Sequence, residues 1–175
     1  MRLAEAAGLH IDDLHLDDDL PYVDIRPHQW RSLKTKGSQR QVPLVGASLW
    51  AAQRIKQTAS SCFAFDGYTD NQQCRANSAS NALNKWIQAN FRDDIVLHGF
   101  RHAMRDRLRA VNCPSDMIDQ IGGWSNKTVG QNYGNGYRLC DLNIWMQKLV
   151  WNIAWESYRA IWKLKLIGKM YLICR

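Results

Sequence analysis

Most of this 175-residue chain has its apolar residues at helical spacing, and that pattern limits its fold more than any other feature. Over residues 47–59, for example, Leu49, Ala52 and Ile55 fall on one face of a helix. The same spacing predicts further helices over residues 78–90, 98–111 and 115–121, and a helical tail at the C-terminal end. The chain is therefore predicted to be mostly helical from residue 47 onward.

Short segments before residue 47 have the alternating pattern of strands. The predicted strands are Tyr22–Ile25, Gln29–Leu33 and Gln39–Leu44. A turn over Lys34–Ser38 joins the last two strands in a hairpin, and Pro43 marks the end of the second one. A helix over residues 3–9 precedes them. A small antiparallel sheet near the N-terminus, followed by a mostly helical body, gives an α+β fold class.

The net charge and the cysteines narrow the possible functions. The chain has 23 Lys and Arg against 16 Asp and Glu, and this net charge of +7 favours a polyanionic partner, most simply nucleic acid. Its five cysteines are odd in number and include no C-x-x-C pair, which argues against a disulfide framework or a zinc ribbon and fits a reducing cytoplasm. No apolar run approaches the ~18 residues of a membrane-spanning helix, so we expect a soluble intracellular protein.

Four residues of different chemistry follow one another in the second half of the chain. His98 and Arg101 are three residues apart, so both project from one face of a helical turn. Trp124 comes directly after two glycines, and Tyr133 follows it just before a glycine-rich corner. A histidine, an arginine, an indole N–H and a phenol can therefore converge on one point.

This order of residues resembles the active-site signature of tyrosine recombinases, the phage integrase family, in which H-x-x-R is followed by G-[HW] and then by a tyrosine. The segment Arg2–Leu9 resembles the family's R-x-x-E-x-x-x-L helix, which supplies the first catalytic arginine. The segment Lys34–Leu44 resembles the family's β-hairpin, which bears the catalytic lysine. The motifs occur in the family's order from Arg2 to about Trp145.

The resemblance implies a DNA phosphodiester as the substrate and assigns three residues to its phosphate. Arg2 and Arg101 would bind the negative charge that develops on the non-bridging oxygens of the transition state. Trp124 would donate its indole N–H to the same oxygens, where many relatives use histidine.

The resemblance also assigns the nucleophile and the proton transfers. Tyr133 would attack the phosphorus atom, and His98 would accept or manage the proton of its phenol. The hairpin lysine, the family's general acid, would protonate the leaving 5′-oxygen. Lys36 fits that position better than Lys34, which stays an alternative. Tyr137 is a second tyrosine near the motif, and the spacing favours Tyr133 as the nucleophile.

The implied function is site-specific DNA recombination through a 3′-phosphotyrosyl intermediate. In the family this chemistry needs neither metal nor ATP nor another cofactor. The expected partners are double-stranded DNA and three further copies of the chain in a homo-tetrameric synapse, with no membrane and no small-molecule substrate. We expect a bacterial or phage-encoded protein of a mobile element, located in the cytoplasm and associated with the nucleoid.

Two regions are predicted. Residues 1–149 form the catalytic domain, which here begins within the family's first motif, so we expect the helical core-binding domain that precedes it in relatives to be missing. Residues 150–175 form a basic, tryptophan-rich tail of unknown role. This tail is either an amphipathic helix for a partner or a membrane surface, or, as we favour, a frameshifted or read-through extension.

Each candidate residue has a more ordinary interpretation when it is taken alone. Arg101 and the arginines after it are typical of a solvated helix face, Trp124 and Tyr133 of core packing, and the hairpin lysines and Arg40 of a solvated turn. Those interpretations do not explain the ordered set of motifs. Two alternative functions remain open: an inactive recombinase remnant that at most binds DNA or a partner recombinase, and a DNA-relaxing activity like that of type IB topoisomerases.

Overall fold

The computed structural model describes residues 1–35, 38–124 and 136–151. Its elements, in chain order, are α1 (Leu3–Ala7), β1 (Leu14–His15), β2 (Tyr22–Ile25), β3 (Arg40–Pro43), α2 (Ala47–Thr58), α3 (Ala76–Asn90), α4 (Gly99–Ala110), α5 (Ser115–Gly122) and α6 (Leu139–Trp151). A 3-10 helix, Ile11–Asp13, lies between α1 and β1. The α+β class predicted from the sequence is confirmed. Among the described residues, no helix is long and apolar enough to cross a membrane.

The sheet has three antiparallel strands in the order β1-β2-β3. Val23 of the central strand pairs with Leu14 of β1 and with Val42 of β3. Side chains alternate between the two faces of a strand, and Val23 and Ile25 are accordingly buried while Tyr22 and Asp24 are not. The buried face of the sheet forms one side of the hydrophobic core.

The predicted hairpin is only partly right. The segment around Gln29–Leu33 is a turn with a single bridge between His28 and Arg31, and β3 pairs with Tyr22–Ile25 instead. The reason is that this segment binds the end of α1. The Trp30 indole donates to the Gly8 carbonyl oxygen at 3.0 Å, and buried Arg31 donates to the Glu5 carbonyl oxygen at 2.8 Å. Because these side chains donate hydrogen bonds to carbonyl groups at α1, the segment is held as a turn. The two-residue strand β1 was not predicted.

The helices are where the sequence predicts them, with ends shifted by one or two residues. Helices α5 and α6 pack against β3, and α4 packs against both of them. Leu108 of α4 and Leu142 of α6 are almost fully buried there, beside Ile118 and Ile121 of α5. This packing places the N-terminal arginine, the start of β3 and the end of α5 side by side. Most of the predicted tail, residues 152–175, lies outside the described residues.

Candidate active site

Arg2 is held by two distant parts of the chain. It precedes the first turn of α1, where its Nη1 donates to Glu5 Oε1 at 2.7 Å and to the Ser38 hydroxyl at 3.3 Å. Its Nη2 donates to the carbonyl oxygen of Gly123 at 2.7 Å. The side chain as a whole is 25% exposed, so these contacts do not bury it completely.

The carboxylate of Glu5 is the acceptor that joins the two arginines nearest to it. Its side chain is only 3% exposed, and it accepts from the Arg2 backbone N–H at 2.7 Å and from Arg40 Nη2 at 2.9 Å. Burial alone would raise the pKa of Glu5, but the hydrogen bonds and charge of Arg40, together with the hydrogen bonds of Arg2, lower it to about 2. Glu5 is therefore ionised at neutral pH.

Arg40 is a buried cation that spans three elements. Besides Glu5, it donates to the carbonyl oxygens of Ser38 at 2.6 Å, Ile121 at 3.1 Å and Gly122 at 3.3 Å. Only 7% of the residue is exposed. The interpretation of Arg40 as a solvated turn charge is therefore wrong. It occupies an inward position on β3, where a charge needs a partner.

Two glycines bring Trp124 against the end of α5. A Cβ on Gly122 would lie 1.8 Å from the Trp124 ring, so the ring packs directly on the glycine backbone. Gly123 ends the helix in the left-handed region with φ of +65°, and a Cβ there would lie 2.5 Å from Arg40 Nη1. Glycine at both positions is thus required by the close approach of neighbouring groups.

Trp124 lies against two arginines of α4. The Cζ atom of Arg101 is 4.2 Å from the centre of the indole ring and that of Arg105 is 5.0 Å from it. These are cation–π distances. Arg105 is also fixed by an ion pair with Asp119 of α5, with 3.2 Å between Nη2 and Oδ1. The indole therefore joins α4 to the end of α5.

Arg101 has an unmatched donor in this cluster. Its Nη1 is buried without a hydrogen-bond acceptor in the part of the chain that the structure describes. Burial, followed by repulsion from Arg2, Arg40 and Arg105 and opposed by Glu5, lowers the pKa of Arg101 to about 10. The group is still charged at neutral pH. A half-buried cation whose buried N–H lacks an acceptor among the described residues, and which lies beside other cations, is a site that an anion would stabilise.

The other predicted site residues are His98, Lys36 and Tyr133, with Lys34 and Tyr137 as the alternatives. His98 is exposed immediately before α4, and its ring packs edge to face against His102 with 5.0 Å between the ring centres. Lys36 and Tyr133 lie outside the described residues, whereas Lys34 and Tyr137 are described and exposed.

Residues close to the two undescribed positions, Lys36 and Tyr133, make contacts with Arg2 and with α5. After Lys36, Ser38 is 1% exposed and its hydroxyl accepts from Arg2 and lies 2.9 Å from the Thr35 hydroxyl. After Tyr133, the backbone of Tyr137 is held by the Gln120 amide of α5. The Tyr137 N–H donates to Gln120 Oε1 at 2.8 Å, and Gln120 Nε2 donates to the Tyr137 carbonyl at 2.9 Å.

A sequence model described as the phage integrase family matches residues 1–138 of the chain. The chain belongs to the phage integrase family. Membership implies site-specific DNA recombination in general, and DNA binding with it. No curated protein and no solved structure matches the chain. The integrase-family match includes all six predicted site residues. Of these, the structure places Arg101 on the Trp124 ring and Arg2 on the carbonyl of the neighbouring Gly123.

Sequence reasoning missed the residues that hold this integrase site together. Glu5 was recognised only as part of a motif, and no role was predicted for Ser38, Arg105 or Asp119. The signal for Arg40 was present: it alternates with Gln41 and shares a face with buried Val42, and a charge on the core face of a strand indicates a buried partner. No group of three or more His, Cys, Asp or Glu side chains that could hold a metal occurs in the described ranges.

Proposed function

We propose that this chain is a tyrosine-type site-specific recombinase, which cleaves and rejoins DNA through a covalent bond between Tyr133 and a 3′-phosphate. The observation that carries the proposal is the buried Nη1 of Arg101, which has no acceptor within the described part of the chain and belongs to a cationic cluster with Arg2 and Trp124. A phosphodiester supplies an acceptor for this N–H and negative charge beside Arg101, whose charge is repelled by Arg2, Arg40 and Arg105.

Arg101 and Arg2 bind the scissile phosphate in this proposal. Both present planar guanidinium groups, which match the paired oxygens of a phosphate better than a lysine does. Their contacts with Trp124 and with the Gly123 carbonyl fix the guanidinium groups before DNA binds. Donors that are already in place stabilise developing charge without reorganisation at the moment of reaction.

The bond changes follow from the remaining side chains. The Tyr133 oxygen attacks phosphorus, the bond from phosphorus to the 5′-oxygen breaks, and the phenol proton passes to His98. Lys36 gives a proton to the departing 5′-oxygen. The reverse step uses a 5′-hydroxyl as the nucleophile and releases the tyrosine, so the energy of the broken bond is retained and neither metal nor another cofactor takes part. Exposure of His98 allows its proton to exchange with solvent.

The choice of Lys36 over Lys34 rests on the position of Ser38. The Ser38 hydroxyl accepts from Arg2 and its carbonyl from Arg40, so the residue directly after Lys36-Gly37 contacts the proposed phosphate-binding Arg2. Lys34, which is exposed, is two residues further from Ser38 along the chain.

The expected assembly is a homo-tetramer on double-stranded DNA, acting within the cytoplasm of a bacterial host and associated with its nucleoid. The net charge of +7 favours DNA binding through phosphates, which weakens steeply with salt. Residues 1–149 are proposed as the catalytic domain and the rest as a tail outside it.

A trapping assay tests this function. The purified protein is incubated with a nicked attachment-site DNA, from which the cleaved fragment diffuses away, and covalent adducts are separated on a denaturing gel. We expect an adduct with the natural sequence and with Tyr137→Phe, and none with Tyr133→Phe. Adduct formation by Tyr133→Phe would contradict the assignment.

The same assay separates the two alternatives. DNA binding without any adduct, together with an adduct from a form extended upstream, would point to a fragment that binds but does not cleave. Relaxation of supercoiled plasmid without strand exchange would point to the topoisomerase-like activity.

A further inference from the structure

The guanidinium of Arg40 contacts both halves of the phosphate-binding cluster. On one side it donates to both carboxylate oxygens of Glu5, with distances of 2.9 Å and 3.4 Å, and Glu5 in turn holds Arg2. On the other side it donates to the carbonyls of Ile121 and Gly122, the last residues of α5 before Trp124. One buried side chain thus stands between the first arginine and the tryptophan.

We propose that Arg40 is a positioning residue of this active site: it sets the place of Arg2 relative to Trp124 and Arg101 without touching the DNA. The inference rests on the proposed function, because it concerns the geometry of that reaction. It goes beyond the motif residues, since Arg40 belongs to none of the arginine, lysine, histidine or tyrosine positions that the motifs mark.

The geometry explains why the residue is arginine. All three nitrogens of the guanidinium are used: Nε on Ile121, Nη1 on Ser38 and Glu5, and Nη2 on Glu5 and Gly122. A lysine ammonium is a compact charge at one point, so it can neutralise Glu5 but cannot span from Glu5 to the end of α5. The left-handed Gly123 leaves the space that Arg40 Nη1 occupies.

Arg40 also reaches the hairpin that bears the proposed general acid. Its Nη1 donates to the Ser38 carbonyl, and the Ser38 hydroxyl accepts from Arg2. The Arg40 side chain therefore contacts the groups next to Arg2, next to Trp124 and just after Lys36-Gly37. A displacement of about 1 Å at any of these groups is enough to slow a reaction by about 100-fold.

A purely structural role is the competing interpretation. Removing one partner of a buried ion pair destabilises a fold whether or not the pair serves a reaction. Arg26→Met provides the matched control. Arg26 pairs with fully buried Asp13 at 2.8 Å, so its loss also leaves a buried carboxylate short of a partner, but Arg26 makes no contact with Glu5, Ile121 or Gly122 among its described hydrogen bonds.

The experiment compares Arg40→Lys, Arg40→Met and Arg26→Met with the natural sequence. Melting temperature, non-covalent affinity for attachment-site DNA and single-turnover rate of adduct formation are measured at a temperature where every variant is folded. We expect Arg40→Lys to recover most of the stability that Arg40→Met loses and to bind DNA normally, yet to form adduct about 100-fold more slowly than the natural sequence. Arg26→Met should lose stability but cleave at the natural rate.

A natural cleavage rate in Arg40→Lys, or equal losses of rate in Arg40→Met and Arg26→Met, would overturn the proposal. Hydrogen exchange gives a readout that does not depend on activity. The Trp124 amide donates to the Asp119 carbonyl at 3.0 Å, and we expect it to exchange faster in Arg40→Lys but not in Arg26→Met. If the natural sequence forms no adduct, the proposed function fails, and unchanged exchange at Trp124 would independently refute the role of Arg40.

Discussion

The guanidinium of Arg101 lies over the indole of Trp124, with 4.2 Å between its Cζ atom and the ring centre. This contact joins the first turn of α4 to the second residue after the end of α5. Because the ring covers one face of the guanidinium, the N–H groups at its edge are directed to the side, and one of them has no acceptor among the described residues. The pair therefore presents a fixed guanidinium donor at the edge of the indole ring.

Replacing Trp124 by phenylalanine separates its two expected contributions, the aromatic face that packs on Arg101 and the indole N–H. Trp124→Phe keeps an aromatic face for Arg101 and removes the indole N–H. We expect a melting temperature close to the natural one and an adduct-forming rate lower by about 100-fold, the usual cost of one transition-state donor. Tyr137→Phe, which removes only the hydroxyl of an exposed aromatic side chain, is the control and should leave both values unchanged. An unaltered rate in Trp124→Phe would show that the N–H is not used.

Arg101→Lys tests the guanidinium itself. The charge is kept, but the planar fork is lost, so we expect adduct formation to fall by about 100- to 1,000-fold with little change in DNA affinity. Arg109→Lys is the matched control, because Arg109 lies on the same helix with an exposed side chain paired to Asp106 at 3.6 Å. Equal rates for the two variants in a single-turnover assay would remove Arg101 from the reaction.

Gly122→Ala tests the close approach of Trp124 to α5. The added methyl group would lie 1.8 Å from the ring, so the indole must leave its place against Arg101 and Arg105. Overpacking of this kind costs about 1–3 kcal/mol, and we expect adduct formation to be lost as well. Gly67→Ala is the control, since, apart from its chain neighbours, no described residue has an atom within 4 Å of a Cβ at that position. A stable, fully active Gly122→Ala variant would contradict the described packing.

The ionised carboxylate of Glu5 predicts a pH dependence of stability. The pKa of Glu5 is about 2 in the folded protein against 4.5 as the ordinary value. A lowered folded-state pKa contributes stability that is fully present above pH 4.5 and is lost as the pH falls toward 2. The shift corresponds to about 3 kcal/mol.

Chemical denaturation across this pH range measures the contribution. We expect Glu5→Gln to lose about 3 kcal/mol at pH 7 and to show a flatter acid limb than the natural sequence. Asp17→Asn is the control, because it breaks an exposed ion pair with 2.7 Å between Asp17 Oδ2 and Lys56 Nζ, the same distance as between Glu5 Oε1 and Arg2 Nη1. It should change stability little, because water screens the exposed pair. Parallel acid limbs for Glu5→Gln and the natural sequence would show that Glu5 is not paired as described.

The parts of this fold that the sequence predicts are those set by local pattern. Apolar spacing along a helix is visible within one or two turns, so the sequence predicts α2 to α6. The end of α5 is also a local signal, because Gly122-Gly123 marks it directly. The spacing of His98 and Arg101 likewise places both at the start of α4 without knowledge of the rest of the molecule.

The parts that the sequence does not predict depend on distant partners. Arg31 and Trp30 were assigned to a strand because their segment alternates, yet they bind carbonyls of α1 that only the folded chain brings to them. β1 has two residues, too few to show a period. Glu5 and Arg40 are far apart in the sequence, and nothing local reveals that they form one buried pair. The roles of all six predicted site residues, Arg2, Lys36, His98, Arg101, Trp124 and Tyr133, stay predictions.

The most direct test of the account is to identify the residue that carries the DNA. The trapped adduct is treated with nuclease and protease, and the peptide that retains a nucleotide is sequenced by tandem mass spectrometry. The account predicts a nucleotide joined through its 3′-phosphate to Tyr133, and an unmodified Tyr137 in the same sample. A nucleotide on Tyr137 or on any other side chain, or DNA bound without a covalent link, would contradict it.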